Sequence, residues 1–167
     1  CLLFALFLVT LKKGKKLSRY LLAGFLITQA AIPLDNLINF GEAFKAFALN
    51  ISPNLFSSFG SAYWIEAPLS LLYIRSLVYK NYKLTIKEAL YFIPFILFAI
   101  YFTNDWLMLD NEIKMSALQN NNIEQAQILD RVIHLIRECL RFIFGIFCLI
   151  ELHKYHKQIK NQVADIE

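Results

Sequence analysis

Charge is what this sequence has little of. Asp, Glu, Lys and Arg make up 18% of its 167 residues, and hydrophobic residues make up 57%. A soluble domain of this size carries roughly 25% charged and roughly 45–50% apolar residues. One small core cannot hide such an apolar excess, and a chain surrounded by lipid has no need to hide it. The composition points away from an ordinary water-soluble domain and toward an integral membrane protein.

Cysteine is scarce too. Cys1, Cys139 and Cys148 are too few for a disulfide framework, and no CxxC occurs. They read as inert thiols in apolar surroundings. No lipid-attachment motif accompanies Cys1, and the basic stretch follows the first apolar run instead of preceding it, unlike a secretory signal. A phosphate loop, HExxH and GxSxG are all missing. His153 and His156 lie three apart, but a metal normally takes three or four ligands. His134 has no second deep histidine with which to hold a haem. No enzymatic activity, cofactor or metal is therefore expected. The paired repeats of many transporters are also missing.

What the sequence has is long apolar runs. They cover roughly residues 1–11, 20–40, 55–79, 90–109 and 132–160, the last ending in a polar tail. The first is about half the length of a spanning helix, so the chain is expected to begin inside one. The others hold about 20 or more residues, about 30 Å as helix, which matches the hydrocarbon thickness. They are too long and too continuous for the alternating strands of an outer-membrane barrel. Pro33, Pro68 and Pro94 fall inside runs, where proline kinks a helix and frees a carbonyl. The expected fold is all-α: one domain over 1–167, a polytopic membrane bundle of about five helices.

Lys and Arg alternate between the connectors. The first holds Lys12, Lys13, Lys15, Lys16 and Arg19, and the second holds only Lys45. The third holds Arg75, Lys80, Lys83 and Lys87, the fourth Lys114 and Arg131, and the tail Lys154, Lys157 and Lys160. Cytoplasmic loops are the basic ones. The first connector, the third and the C-terminal tail are thus expected in the cytoplasm of a bacterial inner membrane. The connectors at 41–54 and 110–131 are expected outside. The latter is acidic and amide-rich, with Asp110, Glu112, Asn120, Asn121, Asn122 and Glu124, and part of it reads as a solvated loop or a short amphipathic helix. The basic tail suits contact with anionic lipid.

A few charges remain inside the runs: Asp35, Glu66, Arg137, Glu138 and Arg141. A charge at the bilayer centre costs about 2.5–3.5 kcal/mol, so such groups turn inward and find partners. Arg137 and Arg141 share a helix face, and Glu138 and Arg141 are neighbours three apart. Counting residues down from the outer ends puts Asp35 level with Arg137, and Glu66 level with Arg141. Two rungs follow, Asp35–Arg137 and Glu66–Arg141. They serve either as register-fixing pairs or as a polar pocket open to the outside, with Trp64, Tyr63, Tyr73 and Trp106 as possible walls. The candidate cluster is Asp35, Trp64, Glu66, Arg137, Glu138 and Arg141, and its partner would be a small-molecule signal.

Residues 67–77, "APLSLLYIRSL", resemble a "GPLLYLYVRSL"-type signature, and 90–98, "LYFIPFILF", are similar to an "LHFLPFLL" segment. Both belong to the multi-helix membrane sensor region of bacterial AraC-type transcriptional regulators and related sensor kinases. "LDNLINFGEAF", "NISPNLFSSFGSAYWIEAPLSLLYIRSL" and the tail "HKYHKQIKNQVADIE" also fit, so the resemblance covers nearly the whole chain. It implies a sensor region of seven or so helices, truncated here before its last two. It also implies an output domain that this chain does not contain, most often an AraC-type helix-turn-helix. DNA would be met only through that domain, and paired outputs imply a homodimer. A histidine kinase or diguanylate cyclase sensor half is the related alternative, and a small transporter or channel subunit is the alternative from another class.

Overall fold

A computed structural model describes residues 1–11, 14–56, 58–120 and 124–164. Lys12, Lys13, Asn121, Asn122 and the chain end at 165–167 lie outside the described residues, as do the side chains of Asn120 and Glu124. The described chain is all-helical, without strands. Its helices are α1 (Leu2–Thr10), α2 (Lys16–Phe40), α3 (Glu42–Ile51), α4 (Ala62–Val78), α5 (Ile86–Leu107), α6 (Asn111–Asn120) and α7 (Glu124–Ala164).

Two of these, α2 and α5, are long and apolar enough to cross a membrane. The other three expected spans do not meet that measure alone. α1 has 9 residues and α4 has 17, although a 3-10 turn at Ser58–Ser61 leads directly into α4. α7 has 41 residues but carries Arg137, Glu138 and Arg141 in its apolar stretch.

Two segments read as connectors are helical. In 41–54, α3 forms because Phe44, Phe47, Ala48 and Ile51 recur at helical spacing. Only Ala48 is buried, and Phe44, Phe47 and Ile51 stay exposed. α6 occupies the first part of the 110–131 connector. α7 already includes Glu124, ahead of the apolar run, because Glu, Gln and Ala are good helix formers whatever their polarity. Hydropathy finds where lipid begins, not where helix begins.

The prolines act differently from one another. α2 and α4 run on through Pro33 and Pro68, while Pro94 sits at the start of an α-helical stretch, Ile93–Phe102, inside α5. There a 3-10 turn, Leu90–Phe92, precedes it. Thr85 and Glu88 form a capping box at the head of α5, which satisfies donors that a helix start leaves open.

α4 is the central helix, packed against α2, α5 and α7. Leu71 and Leu72 are 0% and 1% exposed, and Tyr63, Trp64, Pro68 and Ser76 are buried with them. The pairs across each contact fix the directions. Ser18 meets Ser76, Gln29 meets Glu66 and Asn36 meets Tyr63, so α2 and α4 are antiparallel. Tyr91 meets Arg75 and Phe98 stacks on Trp64, so α5 is antiparallel to α4 as well. Arg141 meets Glu66, Cys148 meets Ser70 and Glu151 meets Arg75, so α7 runs parallel to α4. α1 packs on α2 through Ala5, Leu8 and Ala23.

One end of the bundle is tied by lysine. Lys15 Nζ donates to the carbonyls of Ser76 and Tyr79, both at 3.2 Å. A cation there satisfies open carbonyls and opposes the negative end of the α4 dipole. At the other end Lys114 is 2% exposed and donates to Asn54 Oδ1 at 2.8 Å and to the Leu107 carbonyl at 3.2 Å. By its place in the sequence it is a connector cation, but it joins α6 to the end of α5 and to the 3-10 turn Pro53–Leu55.

Candidate functional site

A polar network crosses the middle of α2, α4 and α7. Glu66 on α4 is its hub. Gln29 Nε2 donates to Glu66 Oε1 at 2.5 Å, and Glu66 Oε2 lies 3.0 Å from Arg141 Nη2. Arg141 turns its Nη1 to Glu138 Oε2 at 3.1 Å. Arg137 closes on the same carboxylate, with Nη2 at 2.9 Å from Glu138 Oε1. The Arg137 guanidinium also lies over the Tyr63 ring, 4.2 Å from its centroid, a cation–π contact. Tyr63 in turn donates its hydroxyl to Asn36 Oδ1 at 3.1 Å.

The expected Glu66–Arg141 pair is therefore present, but Asp35–Arg137 is not a contact. Arg137 is engaged by Glu138 and Tyr63. Asp35 Oδ1 is buried without a hydrogen-bond partner and faces the backbone at Gly60. Equal depth on two helices is no guarantee of equal azimuth.

Trp64 also departs from the expected cluster. It is two residues from Glu66, about 200° around the helix, and so faces the other way. It stacks on Phe98 with ring centroids 5.2 Å apart. On that side it shares with Arg137 and Arg141 only a closely packed cleft of about 10 Å³. Trp106 lies in a π-helical turn, Thr103–Leu107, at the end of α5. Among the described residues no hydrogen bond or ion pair joins the Tyr73 side chain to the network; the Tyr73 carbonyl accepts from Ser76.

The cavity lies on the opposite side of the α4–α7 seam. It is an open groove of about 440 Å³, lined by Glu66, Ala67, Ser70, Glu138, Arg141, Phe142 and Gly145. Three of the six candidate residues therefore line it, Glu66, Glu138 and Arg141. The Glu138 side chain is 52% exposed there.

A second charged contact on the same seam was not anticipated. Arg75 Nε and Nη2 both donate to Glu151 Oε1, at 3.0 and 2.9 Å. Arg75 Nη1 donates to the Tyr91 hydroxyl at 3.0 Å, and Tyr79 donates to Glu151 Oε2 at 2.8 Å. Glu151 is 6% exposed. Tyr79 is the residue that follows the end of α4. Arg75 had been counted only as a connector cation; the signal available was Glu151, an acid just inside the end of an apolar run.

The two ion pairs have opposite polarity. α4 supplies Glu66 and Arg75, nine residues apart, and α7 supplies Arg141 and Glu151, ten apart. Both spacings are about 14–15 Å of helix. Were α7 reversed, Glu66 would meet Glu151 and Arg75 would meet Arg141. The pattern thus favours the parallel arrangement and penalises the antiparallel one, as paired charges do in other helical assemblies.

No family model, no curated protein and no solved structure matches this chain.

Proposed function

We propose that this chain is the membrane-embedded sensing and anchoring region of a bacterial one-component transcriptional regulator, coupling an extracytoplasmic or in-membrane signal to a cytoplasmic DNA-binding domain. The observation that carries the reading is α7. One unbroken helix of 41 residues holds Arg137, Glu138 and Arg141 in its middle and continues into the basic tail. It is roughly 60 Å long, twice a hydrocarbon core. A shift of the polar cluster is transmitted along such a rod without an intervening hinge.

Several features support a five-span bundle in the inner membrane. Helix directions alternate as the basic connectors require: α2 and α5 run one way, and α4 and α7 the other. The polar side chains turn into the α2–α4–α7 seams, while Leu3, Leu97, Leu135, Phe142 and Leu149 are each more than half exposed. In water that surface would be an aggregation hazard; in lipid it is the expected exterior. α3, with Phe44, Phe47 and Ile51 exposed beside Phe40, suits a helix lying in the outer interface. Partners under this reading are membrane lipid, a small-molecule signal and a second copy, with DNA contacted by the output domain.

The test is transcription in cells carrying the full-length gene. Arg141→Lys keeps the charge but loses the forked pairing with two carboxylates. It is expected to change the transcripts that deletion of the gene changes, with the protein still in the membrane fraction. A deletion that alters no transcript contradicts the regulator reading. Ion or solute flux through proteoliposomes of the purified chain would favour a transporter or channel instead.

A further inference from the structure

One line of exposed residues runs along α7 from mid-helix into the tail. Phe142, Gly145, Leu149, Leu152, His156 and Ile159 are all exposed and recur at alternating steps of three and four. This is the seven-residue repeat of a helix that packs along a second one, with Phe142, Leu149 and His156 at a and Gly145, Leu152 and Ile159 at d. The line is about 26 Å long. It is separate from Phe144, Cys148 and Glu151, which are buried toward α4. It stops at Phe142, because one step higher stands Glu138, held by Arg137 and Arg141 of its own helix.

On the membrane reading lipid can cover the upper half of this line but not the lower half. α4 ends at Val78, near the level of Glu151, and α7 runs on beyond it. From 152 to 161 every residue is exposed. Leu152, Tyr155 and Ile159 gather on one side there, and all the other residues are His, Lys, Gln or Asn. Lys154 and Lys157 sit about 140–200° around the helix from Leu152. So short a helical stretch is marginal in water by itself, and its apolar stripe needs something to pack on. The occupant has to follow α7 out of the bilayer.

The upper half is self-complementary in shape. Phe142 is 72% exposed and stands beside the open groove of about 440 Å³, where Ala67, Ser70 and Gly145 leave room. A Cβ built on Gly145 meets nothing within 4 Å. A two-fold axis sets the same patch of each copy against the other, so each ring enters the other copy's groove. A phenyl ring buries roughly 150–250 Å² in this way, and small residues let membrane helices come close enough for it. Two copies inserted alike in one bilayer have parallel helices, so a second α7 follows the first through lipid and into water. Lys160 at e then meets Tyr155 at g of the other copy, an ammonium against a ring. His156 is the polar residue at an a position, which fixes register at a cost in stability.

We infer that α7 is the contact of a parallel homodimer, with Phe142 of each copy seated in the α4–α7 groove of the other and the tails paired along Leu149, Leu152, His156 and Ile159. It deepens the proposed sensor by placing the contact between copies, and it rests on that reading for the parallel orientation.

The experiment is disulfide crosslinking of the full chain in proteoliposomes, with Cys1, Cys139 and Cys148 replaced by serine or alanine and single cysteines introduced in turn. Leu152→Cys and Ile159→Cys are expected to give the covalent dimer on oxidation, and Lys154→Cys and Asn161→Cys, on the far side of the helix, are expected to stay monomeric. Energy transfer between labelled copies, followed as the membranes are diluted with lipid, gives the dissociation constant. Phe142→Ala removes two rings per dimer and should raise that constant about 100-fold, tenfold for each ring. Gly145→Trp should abolish the transfer with the helix content unchanged by circular dichroism, because in its own chain the new side chain enters open space. Absence of crosslinking at both 152 and 159, equal crosslinking at 154 and 161, or undiminished transfer in Gly145→Trp would each overturn the proposal. These outcomes are separate from the transcription test: a dimer whose deletion alters no transcript keeps the contact and loses the regulator, and a monomer whose deletion alters transcripts does the reverse.

Discussion

Arg75→Glu and Glu151→Arg each prevent the chain from accumulating as a folded, monodisperse protein, and the two together restore it. The reason lies in how completely the pair is enclosed. Glu151 has an 8% exposed side chain and accepts from three donors, two on Arg75 and one on Tyr79. Removing one member of a buried pair costs about 3–5 kcal/mol, because the other is left charged without a partner. Reversal costs more, since it places like charges in contact. Arg75 keeps 22% side-chain exposure, which puts a neutral variant such as Glu151→Gln toward the lower end of that range. The double exchange will not recover everything. An arginine at 151 must donate to Tyr79 and a glutamate at 75 must accept from Tyr91, so both hydroxyls reverse their roles, and the carboxylate at 75 is shorter than the guanidinium it replaces. Thermal unfolding in detergent, monitored by circular dichroism, ranks the four proteins. Absence of any rescue in the double variant would contradict the contact.

The central pair predicts an asymmetric result. Arg141 serves two carboxylates, Glu66 and Glu138. Arg141→Glu therefore gathers three acids around one remaining cation, Arg137, and is expected to be the most damaging single change in the chain. Glu66→Arg likewise leaves three charges of one sign around one of the other, but it breaks one ion pair where Arg141→Glu breaks two, and it is expected to be milder. In the double exchange an arginine at 66 faces two carboxylates on α7, reproducing the original two-to-one arrangement with the helices interchanged. It should recover most of the stability lost by Arg141→Glu, about 3 kcal/mol or more, read as the same thermal transition. If Glu66→Arg proves as damaging alone as Arg141→Glu, the hub is not shared as described.

Much of this was legible in the sequence, and the misses have physical causes. The apolar runs located α2 and α5, because a 20-residue apolar stretch has few other uses. Depth counting found Glu66–Arg141. The same method failed for Asp35, since height along a helix leaves the angle around it open, and Arg137 points at Tyr63. Helical periodicity alone separates Trp64 from Glu66, at about 200°; grouping them ignored it. Gln29 and Asn36 were passed over because neutral amides carry no signal in a count of charges, although each supplies a hydrogen bond to the network. Arg75 and Lys114 were both spent on the topology count. A basic residue at a helix end serves orientation and contact together, and its acceptors, Glu151 in one case and Asn54 with the Leu107 carbonyl in the other, become visible only once the helices are packed.

The parallel α4–α7 pair has meaning as a membrane device only if the ends of the bundle lie on opposite sides of a bilayer. Single cysteines at Lys80, Asn111 and Lys157, in a chain whose own Cys1, Cys139 and Cys148 are replaced by serine or alanine, test this directly with a membrane-impermeant thiol reagent. In intact spheroplasts, position 111 is expected to label while 80 and 157 do not; in inverted vesicles the pattern reverses. Labelling of all three from one side, or recovery of the protein in the soluble fraction, would contradict the crossing bundle and the sensor built on it.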